Sequence, residues 1–525
     1  MYNFTDVIDR RNNGSKKWNK DYIKKRFNIE DREDYYPLFI ADMDYVLPKK
    51  IINSMKEIIL EGDFGYFDVK EGFYDSTISW YKDRYKVNVK REDIVPSIGA
   101  LSSMNLIVEK MFNKGDSILI FTPVYGPFKD VVENNKMNLV TCKLSLENSR
   151  YCIDFQLLEN QIKDQKVKGI VLCNPHNPSG RCWDNEEIDK LIKICKDNDI
   201  LIISDEVHGD LVINDNPFIS LSSQLIEYKK IIVISSPNKT FNLAGLNISI
   251  FICKDKEIKE YLEKEFNNKK LHVNRLGCDF LTICYEKGGD WVDSLCENIK
   301  NNVDTVKDIV DMKEIELVTP DAGYLLWLKL SKVKNIDKFV LELAKETGVL
   351  LETGSRFVND NEGFLRINVA TSKEILVTAM NKFIDFYKKY REEANEGEIE
   401  MKREVIYSNN APAAIGPYSH ANKVGNVVYT SGQLPINPET KELITEIKAA
   451  TRQSLENVKA ILEEAGTNMS NVFKTTVVVK DLAQFADVNG VYSEYFGENS
   501  PARSCVQVAK LPMDAVVEIE VIATI

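Results

Sequence analysis

The 525 residues exceed what one hydrophobic core fills, and at about 150 residues per domain they predict about three units. A hydrophobic share of 44%, a charged share of 28% and no apolar run near the ~18 residues of a membrane span describe a globular chain and exclude a membrane protein. The net charge of -12, with lysine and arginine interleaved among acids, argues against a nucleic-acid surface and predicts a small-molecule partner.

Residues 1–20 are polar and carry no apolar leader, so a cytoplasmic protein is expected. The 10 cysteines form no Cys-x-x-Cys pair and the 4 histidines are scattered, which predicts reduced thiols and no metal site. From residue 97 the pattern becomes a glycine-containing turn, a helix over 101–112 and a strand over 117–121 leading to Tyr125. Strands then alternate with helices. Strands are predicted over 169–173, 200–203 and 231–234, and a helix over 185–196. Such alternation implies a mostly parallel sheet with helices on both faces. After residue 290 a helix over 291–312 and strands near 323–327 and 363–368 read as a smaller α+β part. The charged stretch around 390–404 reads as a linker. Beyond it, strands over 427–431, 473–479, 502–508 and 516–522 and helices over 447–464 and 485–496 predict another α+β domain.

Asn177, Asp205, His208 and Lys239 each follow the C-terminal end of a predicted strand, where open parallel sheets bind ligands. Taken singly, Lys239 is a surface lysine, Asp205 a helix cap and Asn177 a turn residue. Their order along one βαβ array is the specific signal. A lysine in a partly dry site has a lowered pKa and can capture an aldehyde, and an aspartate can keep a pyridine nitrogen protonated. Together with an asparagine, a histidine and a covering aromatic, these are the groups that pyridoxal phosphate requires.

The motifs Asn-Pro-His-Asn-Pro-Ser-Gly at 174–180, Ser-Asp-Glu-Val-His-Gly-Asp-Leu at 204–211 and Ser-Pro-Asn-Lys-Thr-Phe-Asn-Leu-Ala-Gly-Leu at 236–246 resemble fold-type I pyridoxal-phosphate enzymes. Within that superfamily, Ala-Asp-Met-Asp at 41–44 and the histidine of Asp-Glu-Val-His resemble the MalY/PatB type of cystathionine beta-lyase. The resemblance implies an α/β fold over residues 1–391. A large, mostly parallel-sheet part spans about 45–285, and a small α+β part combines the N-terminal segment with 290–391. It implies pyridoxal 5'-phosphate, held covalently by Lys239, with Asp205 at the pyridine nitrogen, Asn177 and His208 at the phenolic oxygen and Tyr125 over the ring. Ser236 and the backbone amides of Ala100 and Leu101 would hold the phosphate, Tyr66 would reach the phosphate of a neighbouring subunit, and Arg366 would clamp the substrate carboxylate. Asn247 stands where many aminotransferases carry a phosphate-binding arginine.

After a linker at 392–402, residues 403–525 carry Ala-Pro-Ala-Ala-Ile-Gly-Pro-Tyr-Ser, Thr-Ser-Gly-Gln, Pro-Ala-Arg-Ser-Cys-Val and Val-Glu-Ile-Glu in order. These resemble the Rid/YjgF reactive-intermediate deaminases, whose fold is a chorismate-mutase-like α+β domain. The resemblance implies that Arg503 grips the carboxylate of a 2-imino acid and Glu518 activates water, with Tyr418, Ser431, Asn489 and Cys505 around the pocket. The family's usual glutamate is Gln507 here. Fold-type I enzymes form dimers and Rid domains form trimers with sites between subunits, so a homo-oligomer, up to a hexamer of D3 symmetry, is expected. The combined expectation is a carbon-sulfur beta-lyase whose 2-aminoacrylate product tautomerises to 2-iminopropanoate and is hydrolysed by the second domain. The motifs leave open an aminotransferase whose C-terminal domain serves protection or assembly.

Overall fold

The computed structural model describes residues 2–359, 362–397, 403–497 and 500–525. The chain divides into two units, Met1–Arg391 and Glu392–Ile525. The frame of the first is a seven-stranded sheet whose strands are β1 (Ile94–Ser97), β2 (Ser117–Thr122), β3 (Asn138–Lys143), β4 (Val167–Cys173), β5 (Leu201–Asp205), β6 (Ile231–Ser235) and β7 (Ser249–Ile252). They lie in the order β1-β7-β6-β5-β4-β2-β3, and β7 alone runs antiparallel to its neighbours. Every residue of β5 and β6 is buried, because helices cover both faces and leave no solvent side on which a polar residue could alternate.

Gly99, at φ +67°, turns the chain from β1 into α1 (Ala100–Met111), a conformation that any side chain would strain. The small part carries a four-stranded antiparallel sheet, β8 (Ile315–Val318), β9 (Leu325–Leu330), β10 (Glu352–Thr353) and β11 (Phe364–Asn368), in the order β8-β9-β11-β10. The final helix of this unit, Lys373–Gly397, carries regular structure into the stretch read as a linker, and residues 398–402 of that stretch lie outside the described residues.

The second unit is a six-stranded sheet of β12 (Arg403–Ile406), β13 (Ala421–Val424), β14 (Val427–Thr430), β15 (Val472–Val479), β16 (Ala502–Gln507) and β17 (Val517–Thr524), ordered β12-β13-β14-β17-β15-β16. One face packs against the helices Ile447–Glu464 and Phe485–Phe496 through Thr475, Val477 and Val479 of β15 and Val517, Ile519 and Val521 of β17, at period two. Among the described residues no helix is long and apolar enough to cross a membrane, and no group of three or more His, Cys, Asp or Glu residues could hold a metal ion.

In the first unit the segment Phe39–Asp44 runs past the C-terminal end of the large sheet in irregular conformation, and side chains take up its carbonyls. Arg366 donates to Phe39, Asn368 to Ile40 and Asp42, and Asn242 and Arg10 to Met43. Lys17, fully buried, pairs with Asp44 at 2.9 Å and donates to the Asp42 carbonyl. Arg10 bridges Asp42 and Asp44. Irregular backbone is tolerated in the interior only when its polar groups are so satisfied. Removing one member of a buried ion pair leaves the other charge uncompensated. Lys17→Met should therefore destabilise the protein by about 3 kcal/mol, read as a lower urea midpoint at unchanged m-value.

Candidate active site

The carboxyl ends of the large-sheet strands, the N-terminus of α1, the segment 39–41 and the small sheet enclose a cavity of about 580 Å³. Lys239, Asp205, Asn177, His208, Tyr125 and Arg366 all line it, as do Ala100 and Leu101. Eight residues scattered over 267 positions (366 - 100 + 1) thus converge, seven from the large part of the unit and Arg366 from the small sheet.

Lys239 donates from Nζ to the Ala41 carbonyl at 2.9 Å, and Tyr324 Oη donates to the same oxygen at 3.2 Å. Burial, reinforced by the charge of Arg366, pushes the lysine down to about 8. Asp205 accepts one hydrogen bond, from the Val207 amide at 3.2 Å, and burial raises its carboxyl to about 6. Its neighbour Glu206 accepts from Ser204, Ser220 and the Leu221 amide and is pushed up to about 8, mainly by burial. His208 is held neutral: burial first, then the charges of Lys239 and Arg366, lower it to about 3. Its ring meets Tyr324 edge to face.

Arg366, 4% exposed, donates to Asn177 Oδ1 at 3.2 Å and to the Phe39 carbonyl at 3.0 Å, while its Nε finds no partner. Phe357 lies under the guanidinium at 5.2 Å and pairs in register with Tyr125. A half-free guanidinium and a cavity wall of aromatic carbon suit a planar acid.

At the opposite wall α1 begins without a side-chain cap, so its first amides are available to an anion. Asn247, in the left-handed region at φ +48°, and Asn238, whose buried Oδ1 has no partner, complete this wall. Ser236 lies just outside the lining. Its hydroxyl donates to the Ile248 carbonyl at 2.7 Å and accepts the Asn238 amide, which commits it to the turn beneath the cavity rather than to the lining. Tyr66 is fully exposed and does not line the cavity of its own chain. The sequence reading missed Asn238, adjacent to Lys239, and missed Lys16, Tyr22 and Arg26, which enter the lining from a segment far away in sequence.

Tested against pyridoxal phosphate, the donor set fits. It offers uncapped amides for a phosphate, a buried carboxyl with a single backbone partner for a pyridinium, and a desolvated lysine for an aldehyde.

In the second unit Arg503 and Cys505 pair with Thr475 and Val477, so they face the helices. The Arg503 guanidinium lies 4.5 Å from the Tyr492 ring and 5.3 Å from Phe485, on the same helix face as Asn489, whose Oδ1 is buried without a partner. Glu518 pairs with Val478 and faces the other side of the sheet. Its carboxylate lies over Gly432, where a Cβ would push it aside. Burial, and then Glu520, raise the Glu518 carboxyl. Ser431, next to Gly432, donates to the Ser419 carbonyl at 2.7 Å, and Tyr418 adjoins Ser419 with 42% of its surface exposed. A single copy therefore does not bring Arg503 and Glu518 together. Strand register places them on opposite faces.

The family model for aminotransferase class I and II matches residues 40–383, and that for endoribonuclease L-PSP matches residues 408–525. The chain belongs to the aminotransferase class I and II family, with an endoribonuclease L-PSP family domain at its end. Cystathionine beta-lyase PatB of Bacillus subtilis is 31% identical over 387 residues, which cover 72% of this chain and 98% of the relative. The crystal structure of cystalysin from Treponema denticola, which contains pyridoxal 5'-phosphate, superposes with a TM-score of 0.71 at 30% identity, covering 74% of this chain and 100% of that one. The 2-iminobutanoate/2-iminopropanoate deaminase of Escherichia coli is 53% identical over 122 residues, 23% of this chain and 95% of the relative. The architecture of this pyridoxal-phosphate-dependent family accounts for the large sheet, the small sheet and the cavity between them.

The lowered Lys239 value makes a direct test. A lysine whose conjugate acid titrates near 8 rather than 10.5 becomes neutral as the pH rises through about 8. Acylation of Lys239 in cofactor-free protein, followed by peptide mass mapping, should reach its plateau rate by about pH 9, while surface lysines continue to gain rate beyond pH 10.

Proposed function

We propose that the first unit is a carbon-sulfur beta-lyase acting on cysteine S-conjugates and that the second hydrolyses the imine it releases. The observation that carries the reading is the meeting of a desolvated Lys239, a buried Asp205 and a half-free Arg366 in one cavity, on a chain that ends in a deaminase-like domain.

Pyridoxal phosphate, when bound, supplies an electron sink for the pair left on the substrate's α carbon. Lys239 would hold its aldehyde, Asp205 its ring nitrogen, Asn177 and His208 its phenolic oxygen, and the α1 amides with Asn238 and Asn247 its phosphate. The chain's own groups do the rest. Arg366 binds the substrate α-carboxylate as a fork and orients the Cα–H bond toward Lys239. The neutral amine of Lys239 accepts the α proton, and the Ala41 carbonyl and the neighbouring Tyr324 hydroxyl are placed to receive the resulting ammonium. The thiolate leaves Cβ with the C–S bonding pair and takes up a proton. What remains is 2-aminoacrylate, which tautomerises to 2-iminopropanoate.

In the second unit Arg503 pairs with the imino acid carboxylate while Glu518 directs water to the imine carbon. One water is consumed, ammonia leaves and pyruvate forms. Because Arg503 and Glu518 lie on opposite faces of one sheet, a working site takes the arginine from one copy and the glutamate from another.

Lys239→Ala should abolish release of both thiol and pyruvate. Arg503→Ala should leave the initial rate of thiol release unchanged while the imine, trapped with semicarbazide, persists several-fold longer. Turnover that requires an added 2-oxo acid would show an aminotransferase instead. Two inactive variants, Arg503→Ala and Glu518→Ala, dissociated and reassembled as a mixture, should regain imine hydrolysis. No recovery would place the whole deaminase site within one copy.

A further inference from the structure

The mouth of the Lys239 cavity carries more positive charge than the α-carboxylate of an amino acid uses. Lys16, Arg26 and Arg356 line it with one carboxylate, Glu352, and all four come from elements other than α1, whose amides would hold a phosphate. Glu352 comes from β10, in register with Arg366 on β11, and Lys16 and Arg26 come from the N-terminal segment.

These cations are not equivalent. Arg26 is committed: it pairs with Glu352 Oε1, donates to Tyr22 Oη at 2.9 Å, lies 4.7 Å from the Phe39 ring and is 14% exposed. It already neutralises Glu352. Arg356 reaches the same oxygen only at 3.4 Å from Nε and is 59% exposed. Lys16 is exposed, its ammonium 4.8 Å from the Tyr22 ring, and among the described residues no carboxylate comes within ion-pair distance of it. Lys16 thus has no carboxylate partner among the described residues, and Arg356 shares with Arg26 a single carboxylate, so the three cations at the mouth exceed the one anion. Arg366, deeper in the cavity, serves the α-carboxylate.

We infer that Lys16 and Arg356 form a second anion subsite, which selects thioether amino acids whose sulfur-linked group ends in a carboxylate. This rests on the lyase reading above. The distal carboxylate binds at the hydrated mouth, where each pair contributes a modest, salt-sensitive share of affinity.

The test compares S-(2-carboxyethyl)-L-cysteine with the near-isosteric, uncharged S-propyl-L-cysteine, using the full-length enzyme with its cofactor. The ratio of their kcat/KM values should favour the carboxylate by about 25-fold at low salt and shrink in 0.5 M NaCl, since each of the two pairs is worth about a factor of five. Arg356→Gln and Lys16→Gln should each lower the ratio by about five-fold, and the double variant should bring it near one. A wild-type ratio near one, or a ratio unchanged in the variants, overturns the subsite. If neither thioether releases thiol, the lyase reading fails, and equilibrium binding still decides the subsite. By calorimetry L-2-aminoadipate should bind more tightly than L-norleucine in the wild type and lose that advantage in Arg356→Gln, whereas equal affinities overturn the inference.

Discussion

The contact between Lys239 Nζ and the Ala41 carbonyl is the interaction around which the first unit is arranged. A lysine cannot be desolvated cheaply, and a carbonyl in irregular backbone cannot be left bare. The fold meets both demands by holding the segment 39–44 with side chains from distant elements and aiming one of its oxygens at the lysine. The same burial that makes the amine reactive also makes the segment's anchoring necessary. Lys17 and Arg10, which do not line the cavity, belong to that anchoring.

Around this contact three consecutive turns of the chemistry are set by environment rather than residue type. Asp205 and Glu206 are adjacent carboxyls on one strand end, yet the first faces the cavity with one amide partner and the second is enclosed by two hydroxyls and an amide. His208 shares the space with two cations and stays neutral. Strand alternation sends neighbours to opposite sides, so a short run such as Ser204–His208 can supply both a cofactor contact and a structural acid.

Much of this was legible in the sequence for a physical reason. Strands buried on both faces read as unbroken β-branched runs, as in 231–234, and the residues that follow their ends are fixed by sheet topology. Thus Lys239, Asp205 and Asn177 could be placed without coordinates. Whether Ser236 enters the lining could not be read, because a hydroxyl that faces a cavity and one that closes a turn onto Ile248 have the same sequence spacing. Lys16 and Arg26 were hidden since nothing local ties residues 16–26 to a cavity built from 39–41 and 99–366. The facing of Arg503 and Glu518 depended on the register among β15, β16 and β17, which motif order does not encode.

That facing has a numerical consequence. If a deaminase site joins one side of a sheet to the opposite side of another, the contact is head-to-tail and its two partners are not interchangeable. Two copies in contact then complete one site and leave two unmatched halves, while a closed ring completes one site for every chain. Closure, rather than association alone, would set how much imine the assembly clears. Dilution below the closing concentration would cost this activity more steeply than it costs the number of folded chains.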